Sequence, residues 1–237
     1  MCCKTIQYPV LVSTNREVKI CPKGVLKPIG SLKTTKSCGP DFITAKFLKT
    51  FTEFLVNSLS KIFQFSITNA ALPKVWKHAR VAPIFKKGSK QLTKNYRPIS
   101  LTSICCKLLE HIVHSIISDH LESEGILTDS QHGFRAKRSC ETQLVSTMHD
   151  LTQRFEKGET IDVVILDFAK AFDTVSHNLI LFKLDRSGIS NVLLNWIRDF
   201  LSNRTMSVVV EGAESGVASV ASGSALSGPV RPGSENL

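Results

Sequence analysis

The stretch Ile161-Asp162-Val163-Val164-Ile165-Leu166-Asp167-Phe168 decides how this sequence is read. It is a continuous, β-branched apolar run rather than an alternating one. Alternation would shield one face of a sheet, whereas a continuous run predicts a strand buried on both faces. Asp167 stands at the end of that run, where the strand turns. A carboxylate in such a place is costly to bury unless it is paired or bound to a cation. One reading is therefore Mg2+-dependent phosphoryl transfer, because Mg2+ takes one or two carboxylates together with substrate phosphate oxygens. In that chemistry two ions roughly 4 Å apart activate the attacking hydroxyl and neutralise the leaving group. The other reading is that Asp167 merely caps the turn that follows.

Outward from the run, the flanks are helical. Leu144, Met148, Leu151 and Phe155 predict a helix over about 139–157, stopped by Gly158. Before it, Leu108, Ile112, Ile116 and Leu121 predict an amphipathic helix over about 103–124, stopped by Gly125. Downstream, short helices are predicted around Leu179–Leu184 and Val192–Leu201, then a strand at Ser207–Val210. Arg80–Phe85 reads as a strand that Pro83 confines to an edge or irregular position. Asn95–Leu101 returns beside it across the basic turn Lys86-Lys87-Gly88-Ser89-Lys90, a hairpin with a long basic tip. Phe47, Phe51, Leu55, Leu59 and Ile62 predict one helix with Asp41 as its cap. Residues 1–36 are broken by Pro9, Pro22, Gly24, Pro28 and Gly30 and read as an irregular lead-in. From Glu211 onward Gly, Ser, Ala and Pro dominate, which predicts a linker or disordered terminus. The whole is an α+β pattern.

The 237 residues carry 30 Lys and Arg against 20 Asp and Glu, a formal net charge of +10, with 42% hydrophobic residues. That hydrophobic content excludes wholesale disorder. The basic excess, with most lysines before residue 110, points to a polyanion such as nucleic acid. No apolar run approaches the roughly 18 residues of a membrane span, and no signal-peptide core opens the sequence, so no membrane partner is expected. Seven irregularly placed cysteines are expected to be reduced thiols of an intracellular protein, nuclear or cytoplasmic. A zinc site from Cys105, Cys106, His111 and His114 fits poorly. All four fall on one predicted helix, whereas a zinc cage draws its ligands from separated turns.

Five blocks then carry a resemblance. Asp167-Phe168-Ala169-Lys170-Ala171-Phe172-Asp173-Thr174-Val175-Ser176-His177 resembles the first palm motif of reverse transcriptases from non-LTR retrotransposons. Trp76 through Gly88 resembles the first fingers strand and its tip in that family. Asn95-Tyr96-Arg97-Pro98-Ile99-Ser100-Leu101-Thr102, with Lys107 and Glu110, resembles the next block, and Gln131-His132-Gly133-Phe134-Arg135, with Ser139 and Thr142, the block before the palm. Ser37-Cys38-Gly39-Pro40-Asp41 resembles the entry segment. The five follow the family's order from about residue 37 to 210.

The resemblance implies a right-hand polymerase fold, with an irregular lead-in at 1–36, a fingers-like region at 37–158, a partial palm at 159–210 and a tail at 211–237. It implies Asp167 as catalytic, metal-binding carboxylate and the Phe168 carbonyl as a further metal ligand. Phe172 would pack under the incoming sugar, and Arg97 would stack on the incoming base and contact its phosphate. Lys86 or Lys87 would supply the neighbouring phosphate contact. A planar guanidinium suits stacking and bidentate phosphate binding, while a lysine acts as a point charge. Phe134 and Arg135 would line the template path, although Phe134 reads equally as core. Asp173 and His177 match the pattern but read equally as local turn bonding. The implied cofactor is Mg2+, and the implied partners are an RNA template, a DNA primer and a deoxynucleoside triphosphate.

The family's second carboxylate pair, in an aromatic-Ala-Asp-Asp hairpin, finds no counterpart. After Asp173 the acids are Asp185, Asp199, Glu211, Glu214 and Glu235, none in such a setting. The stretch Val220–Val230 only faintly resembles the Gly-Val-Pro-Gln-Gly-Ser-type block, and no thumb is legible. One carboxylate cannot hold two cations against their mutual repulsion. The expectation is thus part of an RNA-directed DNA polymerase, inactive as this chain alone. The alternatives are an inert nucleic-acid binder and a non-functional remnant.

Overall fold

The computed structural model describes residues 18–35, 37–168, 171, 172 and 174–220. The expectations for residues 1–17, Asp173 and 221–237 lie outside the described residues. The chain divides into two compact units, one of Met1–Ser115 with Lys170–Leu237, the other of Ile116–Ala169.

The first unit holds a mixed sheet. Its strands are β1 (His78–Phe85), β2 (Tyr96–Leu101), β3 (Arg204–Val210), β4 (Ala213–Glu214) and β5 (Ala218–Val220). The order is β2-β1-β3-β4, with β5 also paired to β3. β1 runs antiparallel to β2, with Arg80 opposite Leu101, and parallel to β3, with His78 opposite Thr205 and Val81 opposite Val208. Pro83 sits where its missing N–H does no harm. Pairing with β3 stops at Val81, and Pro83 faces Pro98 across the hairpin. One step beyond the strands, the Lys86 N–H donates to the Asn95 carbonyl at 2.8 Å. Bonded and non-bonded pairs alternate in an antiparallel ladder, so Pro83 and Pro98 fall on a non-bonded pair.

Seven helices occur among the described residues: α1 (Pro22–Ser31), α2 (Ala45–Thr50), α3 (Thr52–Asn69), α4 (Ile104–Ser123), α5 (Cys140–Glu156), α6 (His177–Arg186) and α7 (Asn191–Leu201). α1 and α7 both pack on α3. Val25 and Ile29 of α1, Phe63 and Ile67 of α3 and Trp196 of α7 are buried there, with Val81 of β1 and Leu109 of α4 also in the core. The Trp196 indole N–H donates to Ser66 Oγ at 3.0 Å, tying α7 to α3. Trp76, read as core from the sequence, is buried edge-on to Phe63.

Several elements depart from the sequence reading. The expected lead-in contains α1, because Pro22 occupies a first-turn position where its fixed φ starts a helix. Pro28 inside α1 costs roughly 3 kcal/mol. Burying Val25 and Ile29 returns about 1.5–3 kcal/mol each. Gln64 of α3 also holds the chain ahead of α1, accepting from the Ile20 N–H at 2.7 Å and donating to the Val18 carbonyl at 3.0 Å. The single helix expected from Phe47 onward is two, broken at Phe51. Its cap is Thr44, which accepts from the Phe47 N–H at 3.1 Å. Asp41 instead accepts from Ser103 Oγ at 2.5 Å, just ahead of α4. Gly39 makes that approach possible, since a Cβ there would lie 2.4 Å from the Thr102 carbonyl carbon. Past Glu211 the chain turns back twice to form β4 and β5, which small polar residues concealed.

In the second unit, Gly125 and Gly158, both at positive φ, follow the ends of α4 and α5. Ser139 and Thr142 form a reciprocal capping box at the start of α5. The expected buried strand at 161–168 is not there. Those residues form no strand, and Val164, Ile165, Leu166 and Phe168 are 81%, 88%, 87% and 84% exposed. The reason is the missing neighbour: this unit has helices and loops but no strand among its described residues. An isolated strand satisfies neither its ladder nor its faces.

Candidate nucleic-acid interface

The β1–β2 hairpin carries exposed cations at Lys86, Lys87, Lys90 and Arg97. Gly88 turns the tip at φ +90°, and a Cβ there would meet Asn95 Nδ2 at 2.7 Å. The Asn95 amide donates to the Ser89 carbonyl at 2.8 Å, and the Tyr96 hydroxyl to the Lys90 carbonyl at 2.9 Å. Lys90 Nζ lies 5.9 Å from the centre of the Phe85 ring. The basic tip is thus fastened from within. Arg97 is opposite Ile84, and with the ladder carried one step past β1 by the Lys86 N–H bond to Asn95, alternation puts Lys86 on the same face as Ile84, while Lys87 lies in the turn beyond. The register therefore places Lys86 and Arg97 together on one exposed face.

Asp167 and Phe168 lie in the exposed run of the second unit, while Arg97, Lys86, Lys87 and Phe172 belong to the first. Phe172 is exposed. Two of the acids downstream of Asp167 are already engaged. Asp199 accepts from Lys77 Nζ at 2.6 Å and from the Leu72 N–H at 2.9 Å. Glu214 accepts from Ser207 Oγ at 2.5 Å and lies 3.5 Å from Arg80 Nε. Among the described residues no group of three or more His, Cys, Asp or Glu is placed to hold a metal ion.

The cysteines are free where described. Cys105 and Cys106 are buried in α4, and Cys106 Sγ donates to Glu110 Oε1 at 3.1 Å. Burial, with Asp41 nearby, pushes the Cys105 thiol up to about 12, and burial with Glu110 raises that of Cys106 further. Both remain thiols at neutral pH. Arg204 lies near this pair, 2% exposed, donating to the Phe200 carbonyl at 3.0 Å and covering the Phe200 ring at 4.6 Å.

The loop between α4 and α5 holds Phe134 and Arg135. Phe134 is 85% exposed, so it is not core. The Arg135 guanidinium grips Glu122 with Nε at 2.8 Å and Nη2 at 2.6 Å, and Nη1 donates to the Thr128 carbonyl at 2.6 Å. That hydrogen bonding holds the Glu122 carboxyl below the usual range and raises Arg135.

A family model described as reverse transcriptase (RNA-dependent DNA polymerase) matches residues 84–227, which include the hairpin's return strand, the α4–α5 loop and the run ending in Asp167. The chain belongs to the reverse transcriptase family. Among curated relatives, it is 31% identical over 68% of its length to a probable RNA-directed DNA polymerase from transposon BS of Drosophila melanogaster, covering 18% of that protein. It is 30% identical over 82% of its length to the RNA-directed DNA polymerase from mobile element jockey of Drosophila funebris, covering 21% of it. A Pol polyprotein from retrotransposable element R2 of Popillia japonica is 34% identical over 62% of the chain and 20% of that protein. The chain thus spans about a fifth of the length of the relatives it matches.

Reverse transcriptases work with divalent metal ions, and the described residues of this family member do not complete a site for one. Asp167 brings an exposed carboxylate, and two of the acids that follow, Asp199 and Glu214, are engaged within the fold. The sequence reading did not mark Glu122, Asp129 or Lys137. Glu122 lies thirteen residues from Arg135, a separation that carries no periodic signal.

Proposed function

We propose that this chain is the fingers-like region (37–158) and part of the palm (159–210) of an RNA-directed DNA polymerase. In that assembly a DNA primer is extended on an RNA template with deoxynucleoside triphosphates. The observation that carries the reading is the β1–β2 register, which puts Lys86 and Arg97 on one face within a chain of this family. Arg97 would stack on the incoming base and grip phosphate, and Lys86 rather than Lys87 would supply the second phosphate contact. Phe172 would pack under the sugar. Asp167 and the Phe168 carbonyl are what these residues offer to a divalent cation such as Mg2+. The chain alone would therefore bind nucleic acid without extending it.

Binding of single-stranded RNA should weaken steeply with salt, because phosphate contacts release counterions. Lys86→Ala and Arg97→Ala should each reduce the slope of log affinity against log salt by about one, while Lys87→Ala leaves it. A flat salt response in the parent chain would contradict the phosphate-contact reading.

A further inference from the structure

α3 carries a second apolar stripe on the side away from its core contacts. The inward side holds Val56, Leu59, Phe63 and Ile67, all buried. Phe51, Phe54, Ile62 and Phe65 repeat at helical spacing on the opposite side, and all four are exposed, Phe54 at 80% and Phe65 at 67%. Exposed Phe47 of α2 extends the row, its ring centre 5.1 Å from that of Phe51. Apolar residues exposed singly are ordinary on a protein surface, whereas a contiguous row marks a surface made to be covered.

The chain ahead of α1 reaches the same helix at one end of this row. Gln64, next to Phe65, spans Lys19 with its side-chain amide. Its Oε1 accepts from the Ile20 N–H at 2.7 Å, and its Nε2 donates to the Val18 carbonyl at 3.0 Å. Nε2 also donates to Thr68 Oγ1 at 3.1 Å, which fixes the amide. The backbone at Val18 is thus pinned near the Phe65 end of the stripe, and residues 1–17 join it there.

The sequence of those residues suits a cover. Ile6, Tyr8, Val10 and Val12 recur at every second position, which puts four apolar side chains on one side of an extended chain, with Leu11 out of phase. No charge falls within residues 5–15. The lengths agree as well. From Phe51 to Phe65 the helix rises about 21 Å, at about 1.5 Å per residue. Residues 6–12 in extended form span about 20 Å, at about 3.3 Å per residue. Packing on a helix asks for no β-ladder, so Pro9 is no obstacle. A second copy of the chain fits less well. Lys46, Lys49 and Lys61 are exposed on α2 and α3 against Glu53, and two chains of net charge +10 placed face to face repel.

We propose that residues 6–12 lie extended along the exposed α2–α3 stripe as an intramolecular strap, running from the Phe65 end toward Phe51. Ile6, Tyr8, Val10 and Val12 meet the phenylalanines, and Gln64 is the anchor that sets where the strap starts. The strap does not depend on what the β1–β2 hairpin binds.

The test is photo-cross-linking of the full chain carrying Phe54→benzoylphenylalanine, read by mass spectrometry after trypsin. The expected product has monomer mass and joins α3 to the peptide of residues 5–16. Tyr8→Asp with Val10→Asp sets two carboxylates against the stripe and should cut that yield about ten-fold. The same pair of substitutions should uncover the phenylalanines and raise the emission of added anilinonaphthalene sulfonate about two-fold or more. Adding Phe54→Ser and Phe65→Ser should abolish that rise. Because Tyr8 and Val10 precede every described element, these variants leave the core packing in place. Cross-links confined to other peptides of the chain, or absent, would overturn the proposal. A cross-linked dimer joined through α3 would overturn it in favour of a second copy. Unchanged dye emission in Tyr8→Asp with Val10→Asp would contradict the cover.

Discussion

β1 and the run Ile161–Phe168 are made of the same kinds of residue and end up in opposite states. β1 contains a proline and an arginine and runs into a glycine-turned basic tip, yet it is a strand, paired on both sides at Arg80 and Val81. The run contains no proline, has the higher density of β-branched residues, and lies exposed with no ladder. The difference is in the partners. β1 has β2 delivered by a ten-residue connection and β3 anchored by α7 on α3, so its neighbours arrive with the core. β propensity describes fit to a pleated, half-covered surface, and it stabilises nothing until that surface exists.

That contrast can be attacked from both ends. The largest effect is expected in the packed region. Trp196→Ala should cost about 3–5 kcal/mol in urea unfolding, because it opens a cavity between α7 and α3 and leaves Ser66 without its donor. Leu166→Ser in the run should fall within about 0.5 kcal/mol, as an exposed substitution does. A loss at Leu166 above about 1 kcal/mol would show that the run has a packed partner in solution, and the comparison would collapse.

A middling effect is expected at the ion pair beside the sheet. Asp199→Asn removes the charge partner of Lys77, whose side chain is largely buried, and weakens the acceptor for Leu72. It should cost about 1–3 kcal/mol in the same measurement. A neutral outcome would release Asp199 from its structural role and return it to the pool of acids available for a cation.

The smallest effect belongs to the second unit and depends on pH. The Glu122 carboxyl has a folded pKa below its unfolded value, because Arg135 hydrogen-bonds it. Its contribution is therefore complete above the unfolded glutamate range and is lost as pH falls through the lowered folded value. Amide exchange across residues 128–138 should be flat near neutrality and rise only in acid beyond intrinsic chemistry. Glu122→Gln should abolish that acid-dependent step. A step near pH 7 would point to another group.

Helix periodicity was legible wherever the apolar stripe was long. The positions of α4 through α7 and of the hairpin follow from Leu108-Ile112-Ile116, from Gly125 and Gly158 as stops, and from the basic turn. α1 was hidden because Pro22 and Pro28 read as breakers, although one starts the helix and the other is carried by buried neighbours. The split at Phe51 was hidden because the apolar spacing runs straight through it. The run at 161–168 misled for the opposite reason: its local pattern is strong, and whether it becomes a strand is decided by residues far away in sequence. At the candidate site, the residue types of Lys86 and Arg97 were legible and their shared face was not. The proposed preference for Lys86 over Lys87 rests on the register. Arg135 read as a residue lining the template path, and its bonds to Glu122 and the Thr128 carbonyl were not legible in the sequence.

The central proposal is that these residues handle nucleic acid and that Asp167 by itself does not complete the carboxylate set for nucleotide transfer. Primer extension on an RNA template with Mg2+ and all four deoxynucleoside triphosphates tests it most directly. The account predicts that the chain retains the template–primer and adds no nucleotide. Extension by the chain alone that disappears in Asp167→Asn would contradict it.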